Sequence, residues 1–326
     1  MAKRVRVTIK DVARVANVTP QTVSRAFRDV HDISEETRAK ILKIAAEMGY
    51  VKNSTATSLR NGSSKLIAIV YDNLMNSYFS IITYYLQECL KKKGYSIMAI
   101  SVTDTQLTES AYISAVEHNV DGIISYLQLN DKIQGLIKTY HTPVLVLGRK
   151  EEEKDSDCIY VDDFTIGKIA AQRFIQKGLK HPLVITEAME ITCSYDRYSG
   201  FKSEYEKLGI TPKLIANKLG CKLRIEKHLL DIYKEEQIDS VFCFNDQLAF
   251  ETLYVVEKNG LKTPSVIGVD NIQQEMFFPK RLTTVGWDKQ DLAQRATDMM
   301  IEKISHPERC LNYKVTNVFL VEGVTA

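Results

Sequence analysis

The chain has 326 residues, 44% hydrophobic and 26% charged, a composition that fits two or three folded domains and excludes long disorder. No apolar run nears the roughly 18–20 residues of a membrane helix, and the six scattered cysteines form no CxxC pair, which sets aside membrane insertion, a disulfide framework and a structural zinc site. The net charge of +2 hides a split: residues 1–62 carry 12 Lys/Arg against 6 Asp/Glu, while the remaining 264 carry 31 against 35. A basic head on a mildly acidic body suits a polyanionic partner, although a solvated basic helix face would give the same count. The basic start Met1-Ala2-Lys3-Arg4 leads into no apolar segment, so no signal peptide is read there. A reducing, cytoplasmic setting is expected, with the cysteines as small buried hydrophobes.

Three short helices are predicted in the first fifty residues. Thr8 suits the N-cap of a helix whose Ile9, Val12, Ala13 and Ala16 recur at i, i+3, i+4 and i+7. Asn17, tolerant of left-handed backbone, marks a turn. Thr19 caps a second helix, with Pro20 at its first position and Val23, Ala26 and Phe27 on its apolar side. Ser34 caps a third, with Glu35 and Glu36 in the first turn, Ile41, Leu42, Ala45 and Met48 along one side, and Gly49 as the stop. Residues 53–64 are polar and linker-like, and a domain boundary is placed there.

From Lys65 onward, short Val- and Ile-rich runs alternate with helical stretches that end in glycine. Strands are predicted at 66–70, 96–100, 122–125, 144–147, 183–185, 213–215, 241–244 and 266–269. Helices are predicted at 78–92, 109–117, 132–140, 166–177, 197–208, 224–235 and 247–258. Continuous apolar strands between helices mean parallel sheets covered on both faces. Two similar runs point to two α/β lobes, with a closed (β/α)8 barrel as the competing topology.

No GxGxxG, GxxxxGK[ST], GxSxG or HExxH motif is present, and the six histidines stand apart. No catalytic residue, metal ligand or cofactor is therefore assigned, and the paired acids Asp162-Asp163 read as cap or surface residues. The head is more informative. Helix, tight turn and helix over residues 8–28 form a helix-turn-helix pattern, whose second helix lies in the major groove of DNA. With Val18, Val23, Ala26 and Phe27 packed inward, Gln21, Thr22 and Arg25 face outward, able to read base edges or hold phosphates. A small amphipathic bundle would carry the same bare pattern.

The residues themselves narrow this. Thr8-Ile9-Lys10-Asp11-Val12-Ala13-Arg14, Val18-Thr19, Thr22-Val23-Ser24-Arg25 and Thr37-Arg38, followed by Gly49-Tyr50 and Asn53, closely resemble the LacI/GalR family of bacterial transcriptional regulators. The likeness continues in Asn76-Ser77-Tyr78-Phe79, Val120-Asp121-Gly122-Ile123-Ile124, residues 143–149, Arg197-Tyr198-Ser199-Gly200-Phe201, residues 244–249, residues 266–270 and Leu282-Thr283-Thr284-Val285. The resemblance implies an all-α helix-turn-helix headpiece joined by a hinge helix to an α/β body. That body would be two doubly wound parallel-sheet lobes of the periplasmic-binding-protein type. The expected boundaries are 1–50 for the headpiece, 51–64 for hinge and linker, and 65–326 for the effector-binding and dimerisation domain. Within the last, the N-lobe takes about 65–161 and 289–317 and the C-lobe about 164–286 and 319–326, with crossovers near Asp162, Trp287 and Phe319.

The DNA contacts so implied fall on Thr8, Thr19, Gln21, Thr22, Ser24 and Arg25 in the headpiece and on Asn53, Ala56 and Leu59 in the hinge. Leu59 would wedge into the minor groove. The chain departs from the family at Lys52, where Pro is usual, at Asn17, where Gly is common, and at Pro20, which replaces a side chain that often contacts bases.

Open α/β sheets bind ligands at the carboxyl ends of their strands, which selects Tyr71, Asp72, Asn73, Arg149, Asn245, Asp246, Asp270 and Asn271. Arg197 and Trp287 join them by resemblance, and Asp246 and Asp270 could equally cap the elements that follow them. The expected effector site is Tyr71, Asp72, Arg149, Arg197, Asn245, Asp270 and Trp287. Carboxylate, guanidinium and amide groups fork onto vicinal hydroxyls, and an aromatic ring stacks on a sugar's C–H face. The expectation is a non-enzymatic, homodimeric repressor of double-stranded operator DNA, switched by a small carbohydrate or sugar phosphate and without membrane contact. The alternatives are the same regulator answering to a nucleobase or a phosphoprotein partner and, third, an enzyme built on the same lobes.

Overall fold

A computed structural model describes residues 7–27, 33–51, 62–73, 75–103, 106–150, 156–218, 225–235, 237–278 and 280–326, and contacts divide the chain into Met1–Ser64 and Lys65–Ala326. In the first unit, helices α1 (Ile9–Ala16), α2 (Pro20–Ala26) and α3 (Glu35–Glu47) each begin where a hydroxyl accepts a backbone N–H. Thr8 accepts from Asp11, Thr19 from Thr22 and Ser34 from Thr37. Asn17 ends α1 at φ 54°, a left-handed turn that asparagine tolerates better than most residues. Val12, Ala13, Ala16, Val23, Ala26, Ile41 and Ala45 form the small core, and Phe27 packs edge-on against Tyr50 at 5.5 Å between ring centroids. The hinge residues Asn53, Ala56 and Leu59, with Lys52, lie outside the described residues.

The second unit holds two open six-stranded sheets rather than one closed barrel. The first begins with β1 (Leu66–Tyr71), α4 (Ser77–Lys92), β2 (Ser96–Ser101), α5 (Glu109–Glu117) and β3 (Gly122–Ser125). It continues through α6 (Asp131–Tyr140), β4 (Val144–Leu147) and β5 (Asp157–Val161). The second begins with α7 (Asp163–Gln176), β6 (Pro182–Thr186), α8 (Thr192–Glu206), β7 (Lys213–Ala216) and α9 (Ile225–Glu235). It continues through β8 (Ser240–Cys243), α10 (Asp246–Lys258), β9 (Ser265–Val269) and β10 (Thr283–Gly286). The chain then returns to the first lobe as α11 (Lys289–Ser305), which packs on α4, and β11 (Asn312–Val315), before β12 (Phe319–Val321) closes the edge of the second sheet.

The strand orders are β11-β5-β4-β3-β1-β2 and β12-β10-β9-β8-β6-β7, parallel throughout except for the antiparallel β10–β12 pair. Period-two alternation explains why such strands are apolar on both faces. On β1, Ile67, Ile69 and Tyr71 join the core beneath α4 and α11, while Ala68 and Val70 join the one beneath α5 and α6. Each fully buried isoleucine or leucine contributes about 1.5–3 kcal/mol. This alternation also corrects one expectation: Tyr71 is spent on the core and does not line the cavity described below. Cys310 is exposed, unlike the buried Cys89, Cys158, Cys193 and Cys243. No helix among the described residues is long and apolar enough to cross a membrane.

Candidate nucleic-acid interface and ligand cavity

On α2 the outward residues divide by what they already bind. Gln21 and Arg25 are exposed, whereas Thr22 and Ser24 are half-buried. The Thr19 and Thr22 hydroxyls lie 2.9 Å apart and share the helix cap. Thr8 closes a capping box: its hydroxyl donates to the Asp11 carboxylate at 2.7 Å, and these bonds hold the Asp11 carboxyl below its usual range. The threonine hydroxyls thus fix the helix starts, and the long side chains of Gln21 and Arg25 are left exposed.

In the second unit a cavity of about 980 Å3 opens at the carboxyl ends of the strands and takes its walls from both sheets. Of the effector residues expected from sequence, Asp72, Arg149, Arg197, Asn245, Asp270 and Trp287 line it, together with Asn73. Three buried wall atoms have no hydrogen-bond partner among the described residues: Asp72 Oδ1, Arg149 Nη1 and Trp287 Nε1. Buried polar groups are normally bonded, so one acceptor and two donors among the wall residues are left without a partner inside the described protein. Asn245 spends its amide oxygen on the cap of α10, accepting from the Leu248 N–H at 2.8 Å.

Arg197, placed in the expected effector site by resemblance, is already committed within the protein. It sits mid-helix in α8, 8% exposed, with Nε donating to Asp163 Oδ1 at 2.6 Å and Nη1 to the Phe244 carbonyl at 2.5 Å. Its guanidinium also lies 4.6 Å over the Phe244 ring. This geometry corrects the reading of Asp163 as a cap or surface acid; Asp162 is the cap, accepting from the Thr165 N–H, and Asp163 is the buried counter-charge of Arg197. The close packing of α7 on α8 relies on glycine at the crossing: a Cβ on Gly167 would strike the Arg197 carbonyl, and one on Gly200 the Phe164 carbonyl.

Burial dominates the electrostatics. It pushes the Asp163 carboxyl up to about 6 against the pull of Arg197, and Asp270 up to about 7 against Arg197 and Lys289. Asp246 is raised well above its usual range by burial and by Asp270. It accepts from the Thr284 hydroxyl at 2.5 Å and the Ile272 N–H at 2.8 Å, serving the floor of the second lobe.

Of the aromatic walls, the sequence reading held Trp287 and missed Tyr78, Phe79 and Tyr126. Phe79 lies 4.7 Å from Tyr126 at 31°, and Tyr78 meets Trp287 edge-on at 5.7 Å, all four rings on the cavity. Tyr78 and Phe79 belong to the Asn76–Phe79 motif, and Tyr126 immediately follows β3, so the strand-end rule would have found the last of these.

Comparison with known proteins follows the same division of the chain. Residues 8–53 match the model described as bacterial regulatory proteins, lacI family, and residues 64–320 match periplasmic binding proteins and sugar binding domain of LacI family. The HTH-type transcriptional repressor PurR of Aliivibrio fischeri (strain MJ11) is 25% identical over 309 residues, covering 91% of both chains. In fold, the chain matches the Lac repressor dimer bound to operator and the anti-inducer ONPF with a TM-score of 0.83 at 20% identity, over 98% of this chain and 99% of that one. A LacI family transcriptional regulator from Enterococcus faecium with bound ribose matches with a TM-score of 0.70 at 24% identity, over 80% of this chain and 98% of that one. The two family models fall on the two units of the fold, one on the three capped helices and the other on the two-sheet unit: the chain belongs to the LacI/GalR family of bacterial transcriptional regulators, which are not enzymes.

Proposed function

We propose that this regulator is an operator-binding repressor whose cavity takes a small polyhydroxylated molecule, a sugar or sugar phosphate. The carrying observation is the set of open buried atoms on the cavity wall: Asp72 Oδ1 to accept from a hydroxyl, Arg149 Nη1 and Trp287 Nε1 to donate to hydroxyl or phosphoryl oxygens. The Tyr78, Phe79, Tyr126 and Trp287 rings supply apolar faces for C–H groups, the mixture a sugar presents. On this reading Gln21 and Arg25 read the operator, Leu59 wedges the minor groove, and the protein acts as a homodimer on a two-fold operator in the cytoplasm.

A second reading has a specific observation behind it. The Phe79–Tyr126 pair, 31° from parallel, offers a flat face for a nucleobase, and the relatives named PurR stand beside it.

The test titrates D-glucose, D-ribose and their phosphates against adenine, guanine and hypoxanthine, following the emission of Trp287, the only indole. Saturable binding of a sugar that is lost in Arg149→Ala, together with a change in operator affinity in a gel shift, is the expected result. Binding confined to the bases would replace the sugar reading with the second one.

A further inference from the structure

Lys289, the first residue of α11, is 2% exposed. Its ammonium donates to the Asn271 carbonyl at 3.0 Å and lies 3.2–3.4 Å from the Glu275 carboxylate oxygens. The Tyr85 hydroxyl, on α4, donates to the same carboxylate at 3.3 Å. Two helices of the first lobe therefore grip one turn of the second, the turn that follows β9. A buried ammonium is costly unless well partnered, so this grip is a built feature.

The turn it holds is strained. Asp270 and Asn271 are consecutive non-glycine residues with φ of 101° and 48°. From within the second lobe, the Thr284 hydroxyl accepts from the Asn271 N–H at 3.3 Å, and the Asp246 carboxylate accepts from the Ile272 N–H at 2.8 Å. Gly286 leaves the space, since a Cβ there would come to 2.7 Å from the Asn271 Cβ. Asp270 lines the cavity and adjoins the residue whose carbonyl Lys289 holds.

We propose that Lys289 is a positioning residue for ligand recognition: anchored on Glu275, it holds the Asp270–Asn271 corner in its left-handed form. Asp270 thereby faces the ligand, and any displacement of Asp270 passes to α11 and, through Tyr85, to α4. The inference rests on the reading of Asp270 as a ligand-facing group, but the clamp has its own observables. Among the described residues, the main groups that act on Asp270 are Arg197 and the Cys193 thiol on α8, Asp163 on α7, Asp246 on α10, Lys289 on α11 and the Tyr78 phenol on α4. Arg197 and Lys289 are the two cations among them, so loss of Lys289 moves the Asp270 titration upward from about 7.

The experiment uses the full chain, first without ligand. Hydrogen exchange is measured over residues 270–275 with β9 as internal control, and the Asp270 carboxyl is titrated by 13C resonance in aspartate-labelled protein. Lys289→Met is expected to speed exchange about tenfold in that turn, leave β9 unchanged and raise the Asp270 midpoint by about half a pH unit or more. Lys289→Arg restores both. Glu275→Gln, the second variant should Lys289→Met not fold, also speeds exchange in the turn but does not raise the midpoint, because the ammonium remains. Unchanged exchange and an unchanged midpoint in Lys289→Met, or unchanged exchange in Glu275→Gln, overturns the clamp. Any sugar of the panel above that binds the native chain is then expected to bind Lys289→Met about tenfold more weakly. A panel with no binder counts against the sugar reading alone, and the exchange and titration still decide on Lys289.

Discussion

Replacing Arg197 by methionine is expected to destabilise the two-lobed unit by about 3–5 kcal/mol at neutral pH, because the Asp163 carboxyl must then bind a proton to stay buried and both it and the Phe244 carbonyl lose their donor. Against a typical total of about 5–15 kcal/mol for a domain, that loss is large. The sign of its pH dependence follows from the pair. With Arg197 present, burial already lifts Asp163 from 3.8 to about 6, which corresponds to about 3 kcal/mol held against the folded state once the carboxyl ionises. The stability tied to this proton is complete below the unfolded pKa of 3.8 and is lost as pH rises through the folded value. Without the guanidinium the folded value climbs further and the loss extends to higher pH. Urea unfolding followed by circular dichroism should therefore place Arg197→Met nearer the native chain at about pH 5 than at about pH 8. A double variant that adds Asp163→Leu should recover most of the loss, since apolar groups can replace a buried pair at little cost. An equal penalty at both pH values, or no recovery in the double variant, would refute the assignment of Asp163 as the buried partner.

Three further outcomes are expected. Arg25→Ala should weaken operator binding by about 1–3 kcal/mol in a gel shift at fixed salt, with the unfolding of the lobes unchanged. Leu59→Ala should lower operator affinity while leaving salt-dependent binding to random DNA nearly intact, since phosphate contacts supply the latter; equal losses on both would count against a wedge. Gly200→Ala should destabilise by about 1–3 kcal/mol or more, because the added methyl meets the Phe164 carbonyl of α7; a melting temperature equal to that of the native chain would show that the two helices can part without cost.

Most of the alternating order of strands and helices was legible because each central strand is a continuous apolar run and each helix is bounded by a cap or a glycine. Apart from β5, whose residues 158–161 form an apolar run, and the three-residue β12, the elements that escaped lack those signals. β10 opens with Thr283 and Thr284, both fully buried, whose hydroxyls are satisfied by the chain around them, so its polarity reads as a loop. β11 is an edge strand with exposed Asn312, Tyr313 and Lys314, and no hydrophobic run betrays it. α11 buries Leu292, Ala293, Ala296, Thr297 and Met300, a face built largely from small residues that periodicity weights lightly. The strand-end rule selected Asp72, Arg149, Asn245 and Asp270, and all four line the cavity, because in an open α/β sheet those positions face the crevice whatever the side chains are. It failed at Tyr71, where the same alternation turns the ring into the core. It could not find Asp163, whose partner lies 34 residues away and meets it only through the packing of two helices at Gly167 and Gly200.

That packing bears on how a ligand could reach the DNA. The cavity draws Asp72 and Arg149 from one sheet and Asn245 and Asp270 from the other, so a molecule touching both sides is held fully only in one arrangement of the lobes. A ligand shifts that arrangement only by its difference in affinity between the two states. The open atoms at Asp72, Arg149 and Trp287 set a scale for the difference: two hydrogen bonds to charged groups at about 1.5–3 kcal/mol each and one from the indole at about 0.5–1.5 kcal/mol give about 3.5–7.5 kcal/mol. On the proposed function this caps the change in operator affinity at between about two and a half and five and a half powers of ten. A full swing from 1:99 to 99:1 needs about 5.5 kcal/mol, which falls inside that range. At the lower end of the range a further contribution has to come from groups already paired within the protein, whose partners change as the lobes move. Lys289, Glu275 and Tyr85, which join one lobe to the turn beside Asp270, are the groups placed to supply it.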